Sequence, residues 1–238
     1  MEDKISTLKS WIYASNKIVF FGGAGVSTES GIPDFRSTDG IYQMKYKEPP
    51  EIMLSHSYFM ENTEDFYEFY RSKMIHLYAE PNITHKKLAL LEKENRLIGI
   101  ITQNVDGLHQ KAGSEKVIEL HGSIYRNYCM KCNKFYHLEE ILLAKGVPTC
   151  NCSGRIKPDV VLYEEPLNQL ALIEAVKLIE EAEVLIIGGT SLNVYPAAGL
   201  IRYYKGNKLV MINREVTGFD GEIDLLIKAS LGEIFFQI

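Results

Sequence analysis

Short apolar runs alternate with helical segments along most of this chain, and this alternation constrains the fold more than any other feature. The runs are rich in Val, Ile and Leu and are bounded by glycine or polar residues, which is typical of strands buried on both faces. Such strands, separated by helices, predict a doubly wound parallel sheet of the Rossmann-like α/β class. We predict strands at 17–21, 97–102, 117–120, 160–162, 184–187 and 209–212, and helices at 4–15, 85–96, 168–182 and 196–205.

Two insertions interrupt the alternating pattern. Residues 40–79 are aromatic-rich and helix-like, and residues 125–157 contain all four cysteines. We therefore expect a small domain built from a helical module and a four-cysteine module, and a larger Rossmann-like domain. The small domain would take residues 40–79 and 125–157, and the larger domain residues 1–39, 80–124 and 158–238.

The four cysteines form two close pairs, Cys129-x-x-Cys132 and Cys150-x-Cys152. Two such pairs joined by a short segment suit a tetrahedral zinc site, because thiolates are the soft ligands that zinc prefers. The alternatives are two disulfides or two unrelated pairs of buried thiols. Nothing resembling a signal peptide precedes the first predicted strand, so we expect a reducing, cytoplasmic location in which disulfides are rare. A zinc ion with four protein ligands would be structural rather than catalytic.

Charge and hydropathy argue against two classes of partner. The formal net charge is −5, which argues against non-specific binding to nucleic acid. No apolar run approaches the roughly 20 residues that a membrane helix needs. We therefore expect neither a membrane nor a nucleic acid as a direct partner.

A glycine turn follows the first predicted strand. In Gly22-Gly23-Ala24-Gly25, bare backbone is able to approach a pyrophosphate. The match to the dehydrogenase fingerprint Gly-x-Gly-x-x-Gly fails at its third glycine, where Thr28 stands, and no second strand with an acidic ribose partner follows at the expected distance. A hydride-transfer enzyme is therefore disfavoured. A glycine turn without any ligand stays open as the alternative.

Polar residues cluster after the other predicted strands, where ligands bind in sheets of this class. The clusters are Thr-Gln-Asn-Val-Asp-Gly-Leu-His at 102–109, His121-Gly122, Gly189-Thr190-Ser191 and Asn213-Arg214-Glu215. His121 is the strongest catalytic candidate. It lies just past a buried strand, beside a glycine that leaves room for a ligand, and near amide and carboxylate groups able to orient its ring. The histidines interpreted as structural are His56, His76, His85 and His137.

Several of these strings together resemble the signature of the sirtuins, which are NAD-dependent protein deacylases. The strings are Gly-Ala-Gly-Val-Ser at 23–27, Gly-Ile-Pro-Asp-Phe-Arg at 31–36, Thr-Gln-Asn-Val-Asp-Gly-Leu-His at 102–109 and His-Gly at 121–122. Further motifs at 156–161, 189–192, 196–198 and Asn213 follow in the family's order. The resemblance spans nearly the whole chain and is to a small prokaryotic-type member.

The resemblance implies an NAD-dependent protein-lysine deacetylase that contains structural zinc. In that chemistry the acyl-lysine oxygen attacks the nicotinamide ribose of NAD, nicotinamide leaves, and a ribose hydroxyl attacks the resulting imidate. The products are nicotinamide, free lysine and O-acetyl-ADP-ribose. His121 matches the general base for the hydroxyl, and Asn104 matches the residue that orients the ribose and a water.

The resemblance also assigns the remaining site residues. Gln103 would hydrogen-bond near the His121 ring, and Val105 and Asp106 would hold the nicotinamide carboxamide. The other implied NAD contacts are Ala24, Gly25 and Thr28 at the phosphates with Thr190 and Ser191 nearby, Asp34, Phe35 and Arg36 in the loop over the cofactor, and Asn213 at the adenosine ribose. The implied zinc ligands are Cys129, Cys132, Cys150 and Cys152.

The implied partner is an acyl-lysine peptide, bound as an added strand between the segments near Tyr163 and Asn193. This chain departs from the family at Glu164, where glycine is usual. It also lacks the Tyr-x-x-Arg pair of members that accept succinyl-lysine, because Tyr70 follows Tyr67 at that spacing and Arg71 comes one place later. We therefore expect acetyl-lysine to be preferred over succinyl-lysine.

Two other functions fit the same residues. One is mono-ADP-ribosyl transfer, in which another nucleophile takes the ADP-ribose. The other is a sensor that binds NAD or O-acyl-ADP-ribose without turnover. The presence of both His121 and Asn104 favours turnover over sensing, but the sequence does not separate deacylation from ADP-ribosylation.

Overall fold

The computed structural model describes residues 1–35, 40–41, 46–214 and 223–238. Within these residues the main sheet has six parallel strands, which are β1 Ile18–Gly22, β2 Leu97–Thr102, β3 Val117–Glu119, β7 Val184–Gly188, β8 Leu209–Asn213 and β9 Leu225–Lys228. Their order across the sheet is β3-β2-β1-β7-β8-β9. The doubly wound α/β class predicted from the sequence is confirmed.

Helices cover both faces of this sheet. Within the described residues the α-helices of the whole protein, including those that pack on the second sheet, are α1 Glu2–Ala14, α2 Pro50–Met53, α3 His56–Glu61, α4 Thr63–Lys73, α5 Ile83–Lys93, α6 Leu108–Lys111, α7 Leu138–Leu143, α8 Gln169–Glu181 and α9 Leu231–Gln237. Apolar residues of α1, α5 and α9 pack with Ile18 and Phe20 on one face. Residues of α8 and the 3-10 helix Ala197–Tyr203 pack with Val19 and Phe21 on the other. Successive β1 residues thus enter opposite cores, as the alternation of strand side chains requires.

A second, antiparallel sheet consists of β4 Gly122–Cys129, β5 Phe135–Tyr136 and β6 Ile156–Val160. Their order across the sheet is β5-β4-β6. Helices α3, α4 and α7 bury their apolar residues against it, forming a third core rich in aromatic rings. In that core the Phe66 ring stacks on Tyr70 and meets Phe59 and Tyr67 edge to face. Strand β4 ends at Cys129, so the four cysteines lie at that end of the small sheet.

The strand prediction differs from the structure at four strands, of which β4 and β5 of the small sheet were not predicted. The strand predicted at 160–162 is not in the parallel sheet, because β6 spans 156–160 and pairs antiparallel with β4. Its buried residues alternate with partly exposed ones, which is the pattern of a sheet with one face covered. Strand β9 was not predicted, since its burial also alternates and it is short. None of the helices in the described part of the chain is both long and apolar enough to cross a membrane.

Candidate functional site

The four cysteine sulfurs converge on one point. All four Sγ atoms lie within 4.8 Å of one another, with Cys129 and Cys152 at 3.4 Å and Cys132 and Cys150 at 3.6 Å. These separations are far longer than a disulfide bond of about 2.05 Å, and all four thiols are free. The disulfide alternative is therefore excluded, and the donor set fits a tetrahedral zinc site.

The surrounding backbone is shaped for thiolate ligands. The Lys131 N–H donates to Cys129 Sγ at 3.4 Å, and the Cys152 N–H donates to Cys150 Sγ at 3.5 Å. Gly154 leaves room for the sulfurs, because a Cβ there would lie 2.6 Å from Cys129 Sγ. Backbone N–H groups that point at sulfur stabilise its negative charge, so this cradle favours thiolates and supports a metal.

His121 lies in the two-residue link between β3 and β4. Its Nδ1 is 2.8 Å from the backbone oxygen of Gln103, at the end of β2. A carbonyl only accepts, so Nδ1 carries the proton and Nε2 is the basic nitrogen of the neutral ring. Burial lowers the pKa of His121, and the hydrogen bond to Gln103 works against that shift by stabilising the protonated ring. A neutral, oriented imidazole is what a general base requires.

The backbone behind His121 is closely packed. The His121 carbonyl accepts from the Val161 N–H at 2.9 Å, which joins the link to the end of β6. Gly122 has φ +77°, and a Cβ at that position would lie 1.8 Å from the Asp159 carbonyl oxygen. Only glycine fits both the left-handed conformation and this approach. The glycine predicted to leave room for a ligand therefore leaves room for β6.

A second polar cluster lies where β2 ends beside the glycine turn. Ser27 Oγ donates to Asp106 Oδ2 at 2.6 Å, and Asn104 Nδ2 donates to Ser27 Oγ at 3.1 Å. Burial raises the pKa of Asp106, while the hydrogen bonds from Ser27 and from the Leu108 N–H lower it. Ser27 was missed as a site residue in the sequence, although it ends the Gly-Ala-Gly-Val-Ser string.

A third group of predicted residues meets at the ends of β2, β7 and β8. Thr190 Oγ1 donates to Gln103 Oε1 at 2.8 Å, and Asn213 Nδ2 donates to the Thr190 carbonyl at 3.1 Å. The Gln103 side chain thus contacts Thr190, while its backbone carbonyl holds the His121 ring. These hydrogen bonds bring together three residues from separate strands at the carboxyl edge of the sheet, where ligands bind in this class of fold.

The glycine turn packs tightly against Gly189 after β7. The Gly25 N–H donates to the Gly189 carbonyl at 2.8 Å, and a Cβ on Gly25 would lie 2.7 Å from Gly189 Cα. Two short 3-10 helices, Ala24–Val26 and Thr28–Ser30, follow β1 in place of a long α-helix. Thr28 Oγ1 donates to the Gly25 carbonyl at 3.1 Å. The turn exposes backbone with few side chains, which suits a pyrophosphate.

The loops after β1, β2 and β7 contain the predicted residues Asp34, Phe35, Val105 and Ser191. The Asp34 carbonyl accepts from the Ile41 N–H at 2.8 Å. Phe35 and Val105 are partly buried against the third core. Ser191 lies in the segment after β7, and Arg36 lies outside the described residues.

Comparison with known proteins decides the family. The model of the Sir2 family matches residues 23–196. Proteins named NAD-dependent protein deacetylase from Clostridium tetani and Clostridium acetobutylicum are 59% and 57% identical, each over 98% of this chain and 96% of the relative. This chain belongs to the Sir2 family. Among solved Sir2 structures, a "Sir2-p53 peptide-NAD+" complex is 38% identical with a TM-score of 0.85, covering 98% of this chain and 96% of that chain.

Another solved Sir2 structure carries a modified peptide. It is described as Sir2Tm bound to a propionylated peptide, is 38% identical with a TM-score of 0.88, and is matched over 98% of this chain and 96% of that one. The coverage is nearly complete in both directions, so the Sir2 fold extends over the main sheet and the small sheet alike.

The segment after β6 differs from the usual Sir2 pattern at Glu164. Tyr163 pairs with the turn before α3, since its N–H donates to the Leu54 carbonyl at 3.0 Å and its carbonyl accepts from the His56 N–H at 3.0 Å. Glu164 has φ +76°, a conformation that favours glycine. Its carboxylate accepts from the Ser57 N–H at 2.9 Å and from Ser57 Oγ at 2.7 Å. Both hydrogen bonds are accepted by the same oxygen, Oε2, and they direct the Glu164 side chain towards Ser57.

The helix that bears the expected acyl-pocket residues is buried in the third core. Tyr67 and Tyr70 are fully buried, and the Tyr67 hydroxyl donates to the Ile156 carbonyl. Arg71 Nε donates to the Ile141 carbonyl at 3.0 Å and Nη2 to the Gly146 carbonyl at 2.7 Å. The Arg71 guanidinium therefore binds two carbonyls of the four-cysteine segment, and it lies over the Tyr67 ring, 5.1 Å from the ring centroid.

A buried histidine pair supports the glycine turn of this Sir2 protein from behind. The rings of His85 on α5 and His109 on α6 lie 4.7 Å apart, and both residues are almost fully buried. His85 Nδ1 accepts from the Asn82 N–H at 3.3 Å, and Asn82 Nδ2 donates to the Val26 carbonyl at 2.8 Å. Within the described residues, His85 Nε2 and both ring nitrogens of His109 have no hydrogen-bond partner.

We expect this pair to make the protein sensitive to acid. Burial lowers the pKa of His85 to about 4, and burial together with the nearby His85 lowers the pKa of His109 to about 3. In the unfolded chain both would titrate near 6.5, so below that pH the unfolded state binds more protons than the folded state. Stability should be unaffected by the pair above pH 6.5 and should fall as the pH drops towards 4, by roughly 2 kcal/mol per histidine at pH 5.

Urea denaturation at pH 7 and pH 5 measures this effect. His109→Gln should lose less stability between the two pH values than the wild type, because glutamine does not titrate. His137→Gln, at an exposed histidine, is the matched control and should behave as the wild type. An equal loss in the wild type and in His109→Gln would contradict the prediction.

Proposed function

We propose that this protein is an NAD-dependent protein-lysine deacetylase that produces nicotinamide, free lysine and O-acetyl-ADP-ribose. The observation that carries the proposal is the geometry at His121, where the Gln103 carbonyl holds Nδ1 at 2.8 Å and leaves Nε2 as the base. A hydrogen-bonded cluster lies where β2 ends beside the glycine turn, and it consists of Ser27, Asn104 and Asp106. The Sir2 relatives named NAD-dependent protein deacetylase support the same chemistry.

The carboxyl edge of the main sheet fits NAD. The proposed contacts run from the glycine turn to the end of β8 and comprise Ala24, Gly25, Thr28, Asp34, Phe35, Arg36, Gln103, Asn104, Val105, Asp106, His121, Thr190, Ser191 and Asn213. Bare backbone at the turn suits the pyrophosphate, and Asp106 offers its carboxyl group to the nicotinamide amide. Bound NAD would supply the ribose carbon that accepts the acyl oxygen as nicotinamide leaves.

Each residue at this site has a separate role in the reaction. His121 Nε2 takes a proton from a ribose hydroxyl, and the Gln103 carbonyl stabilises the imidazolium that forms by accepting from Nδ1. Asn104 orients the ribose, with its amide held by Ser27. Phe35 excludes water from the reacting centre. Zinc bound by the four cysteines would be structural, since four thiolate ligands would leave no position for a substrate.

The acyl-lysine peptide is proposed to bind as an added strand between the segments near Tyr163 and Asn193. The N–H and the C=O of Tyr163 already pair with Leu54 and His56, so a peptide strand would pair with residues next to Tyr163 whose backbone groups face the opposite edge. The Glu164 side chain is turned towards Ser57 and does not need to move for such pairing. The p53-peptide complex of a Sir2 relative is consistent with a peptide ligand.

Mass spectrometry of the products tests the proposal. The wild-type protein is incubated with NAD and an acetyl-lysine peptide, with a reaction lacking NAD as control. O-acetyl-ADP-ribose and deacetylated peptide are expected in equal amounts. ADP-ribosylated protein in their place would indicate mono-ADP-ribosyl transfer, and binding of NAD without any product would indicate a sensor.

We expect acetyl-lysine to be preferred over succinyl-lysine by roughly 10²-fold or more in kcat/KM, because an unpaired buried carboxylate costs about 3 kcal/mol or more. The Arg71 guanidinium is already hydrogen-bonded to the carbonyls of Ile141 and Gly146, so it would have to give up these bonds to pair with a succinyl carboxylate. The measurement compares one peptide in its acetylated, succinylated and butyrylated forms. Butyryl controls for length without charge, and a succinyl preference would refute the argument.

A further inference from the structure

One ion-pair cluster spans the junction between the two sheets. Arg126 Nη1 lies 2.7 Å from Glu119 Oε2, and Arg126 Nε lies 2.7 Å from Asp159 Oδ2. Glu119 is the last residue of β3 at the edge of the main sheet, and Asp159 belongs to β6 of the small sheet. One guanidinium therefore joins a carboxylate from each sheet.

The link that this cluster spans contains His121. Strand β3 ends at Glu119 and β4 begins at Gly122, so only Leu120 and His121 connect them. The Leu120 N–H donates to the Thr102 carbonyl at 2.9 Å, on the main sheet. The His121 carbonyl accepts from Val161, on the small-sheet side. The position of the His121 ring thus depends on how far apart β3 and β6 are held.

The local backbone places Arg126 for this role. The pairing of β4 with β6 shifts register between Ser123 and Asn127, so the residues between them form an irregularity that redirects the Arg126 side chain. The Glu119 side chain is only 8% exposed, so its charge is poorly solvated without a partner. The planar guanidinium offers separate N–H groups to two carboxylates, which a lysine ammonium cannot match in geometry.

We propose that Arg126 is a positioning residue for proton transfer at His121. By bridging Glu119 and Asp159 it holds the ends of β3 and β6 at one separation, which keeps His121 Nδ1 on the Gln103 carbonyl and Nε2 directed at the substrate hydroxyl. Without the planar guanidinium the ends of β3 and β6 are no longer joined through Glu119 and Asp159, and the ring loses its single orientation. The inference rests on the proposed function, because it assigns Arg126 to the base of that reaction.

Steady-state kinetics of Arg126→Met separates this role from a general one. Because displacement of a catalytic group by about 1 Å costs on the order of 10²-fold, we expect kcat for O-acetyl-ADP-ribose formation to fall roughly 10- to 100-fold. Exchange of labelled nicotinamide into NAD precedes the proton transfer, so it should stay within about 3-fold of the wild-type rate, as should the KM for NAD. Arg96→Met is the matched control at the opposite end of β2, where Arg96 donates to the Tyr13 carbonyl.

Nitrogen-15 NMR of the histidine rings in NAD-free protein gives an independent readout. The His121 signals, assigned by their loss in His121→Ala, should show one tautomer with the proton on Nδ1 in the wild type. Arg126→Met should show averaging between tautomers, with the other histidines unchanged. A wild-type tautomer pattern in this variant would overturn the inference.

Arg126→Lys keeps a positive charge between the carboxylates and decides the matter if Arg126→Met does not fold. A kcat below the wild type with unchanged nicotinamide exchange supports the inference. Wild-type kcat, or an equal loss of exchange and product formation, overturns it. Failure of the proposed function is distinguishable, because the wild-type protein would then form no O-acetyl-ADP-ribose at all.

Discussion

Replacement of His121 by alanine should lower the formation of O-acetyl-ADP-ribose by roughly 10²-fold or more, while NAD binding survives. The imidazole is held by the Gln103 carbonyl through Nδ1, so Nε2 is the nitrogen that takes the proton. Alanine removes this base but leaves the glycine turn and the Ser27–Asp106 hydrogen bond in place. Product formation is measured by mass spectrometry, and NAD binding by calorimetry.

A histidine outside the site provides the control for this variant. His137→Ala removes an exposed ring from the four-cysteine segment and should leave product formation near the wild-type rate. A wild-type rate of product formation in His121→Ala would show that His121 is not the general base. Loss of NAD binding along with turnover would show instead that the ring holds the cofactor site together.

Loss of one zinc ligand should have an effect of similar size through folding. Cys150→Ala removes one of four sulfurs that lie within 4.8 Å of one another. Because metal binding of this kind is coupled to folding, the variant should release the metal and unfold the small sheet around it. Activity is then lost because the disordered β4 and β6 no longer position His121. No group that takes part in the reaction is removed.

Metal analysis and near-ultraviolet circular dichroism together test this expectation. The purified wild-type protein should contain about one zinc per chain. Asn151→Ala, at the exposed residue between Cys150 and Cys152, is the matched control and should keep both metal and activity. The assignment of the four cysteines to a structural zinc site would be contradicted by a wild-type zinc content well below one per chain. A folded and active Cys150→Ala would also contradict it.

The strands of the main sheet were largely predictable because they are buried on both faces. Almost all residues are apolar in strands β1, β2, β7 and β8. Each of these strands can therefore be recognised from its own short run of residues. The cysteine site was also predictable from local sequence, because the two cysteines of each pair are only two or three positions apart. Strands β6 and β9 were misplaced or missed because their buried residues alternate with partly exposed ones.

The hydrogen-bond partners within the site depend on contacts far apart in the chain. Ser27 meets Asp106 across 79 residues, and Gln103 meets Thr190 across 87. The resemblance to sirtuins indicated which residues to group but not that the Gln103 backbone, rather than its side chain, holds the His121 ring. That distinction depends on how β2 and β3 pair, with Thr102 opposite Glu119.

The sequence by itself determined the fold class, the four-cysteine site and the family, because each is encoded in the type and spacing of neighbouring residues. Only the tertiary structure decided that Arg126 joins two carboxylates across the link at His121, and that His85 lies against His109. Such contacts bring together residues from separate elements. They are set by the order of the strands and the packing of the helices, which are properties of the whole chain and leave no local pattern.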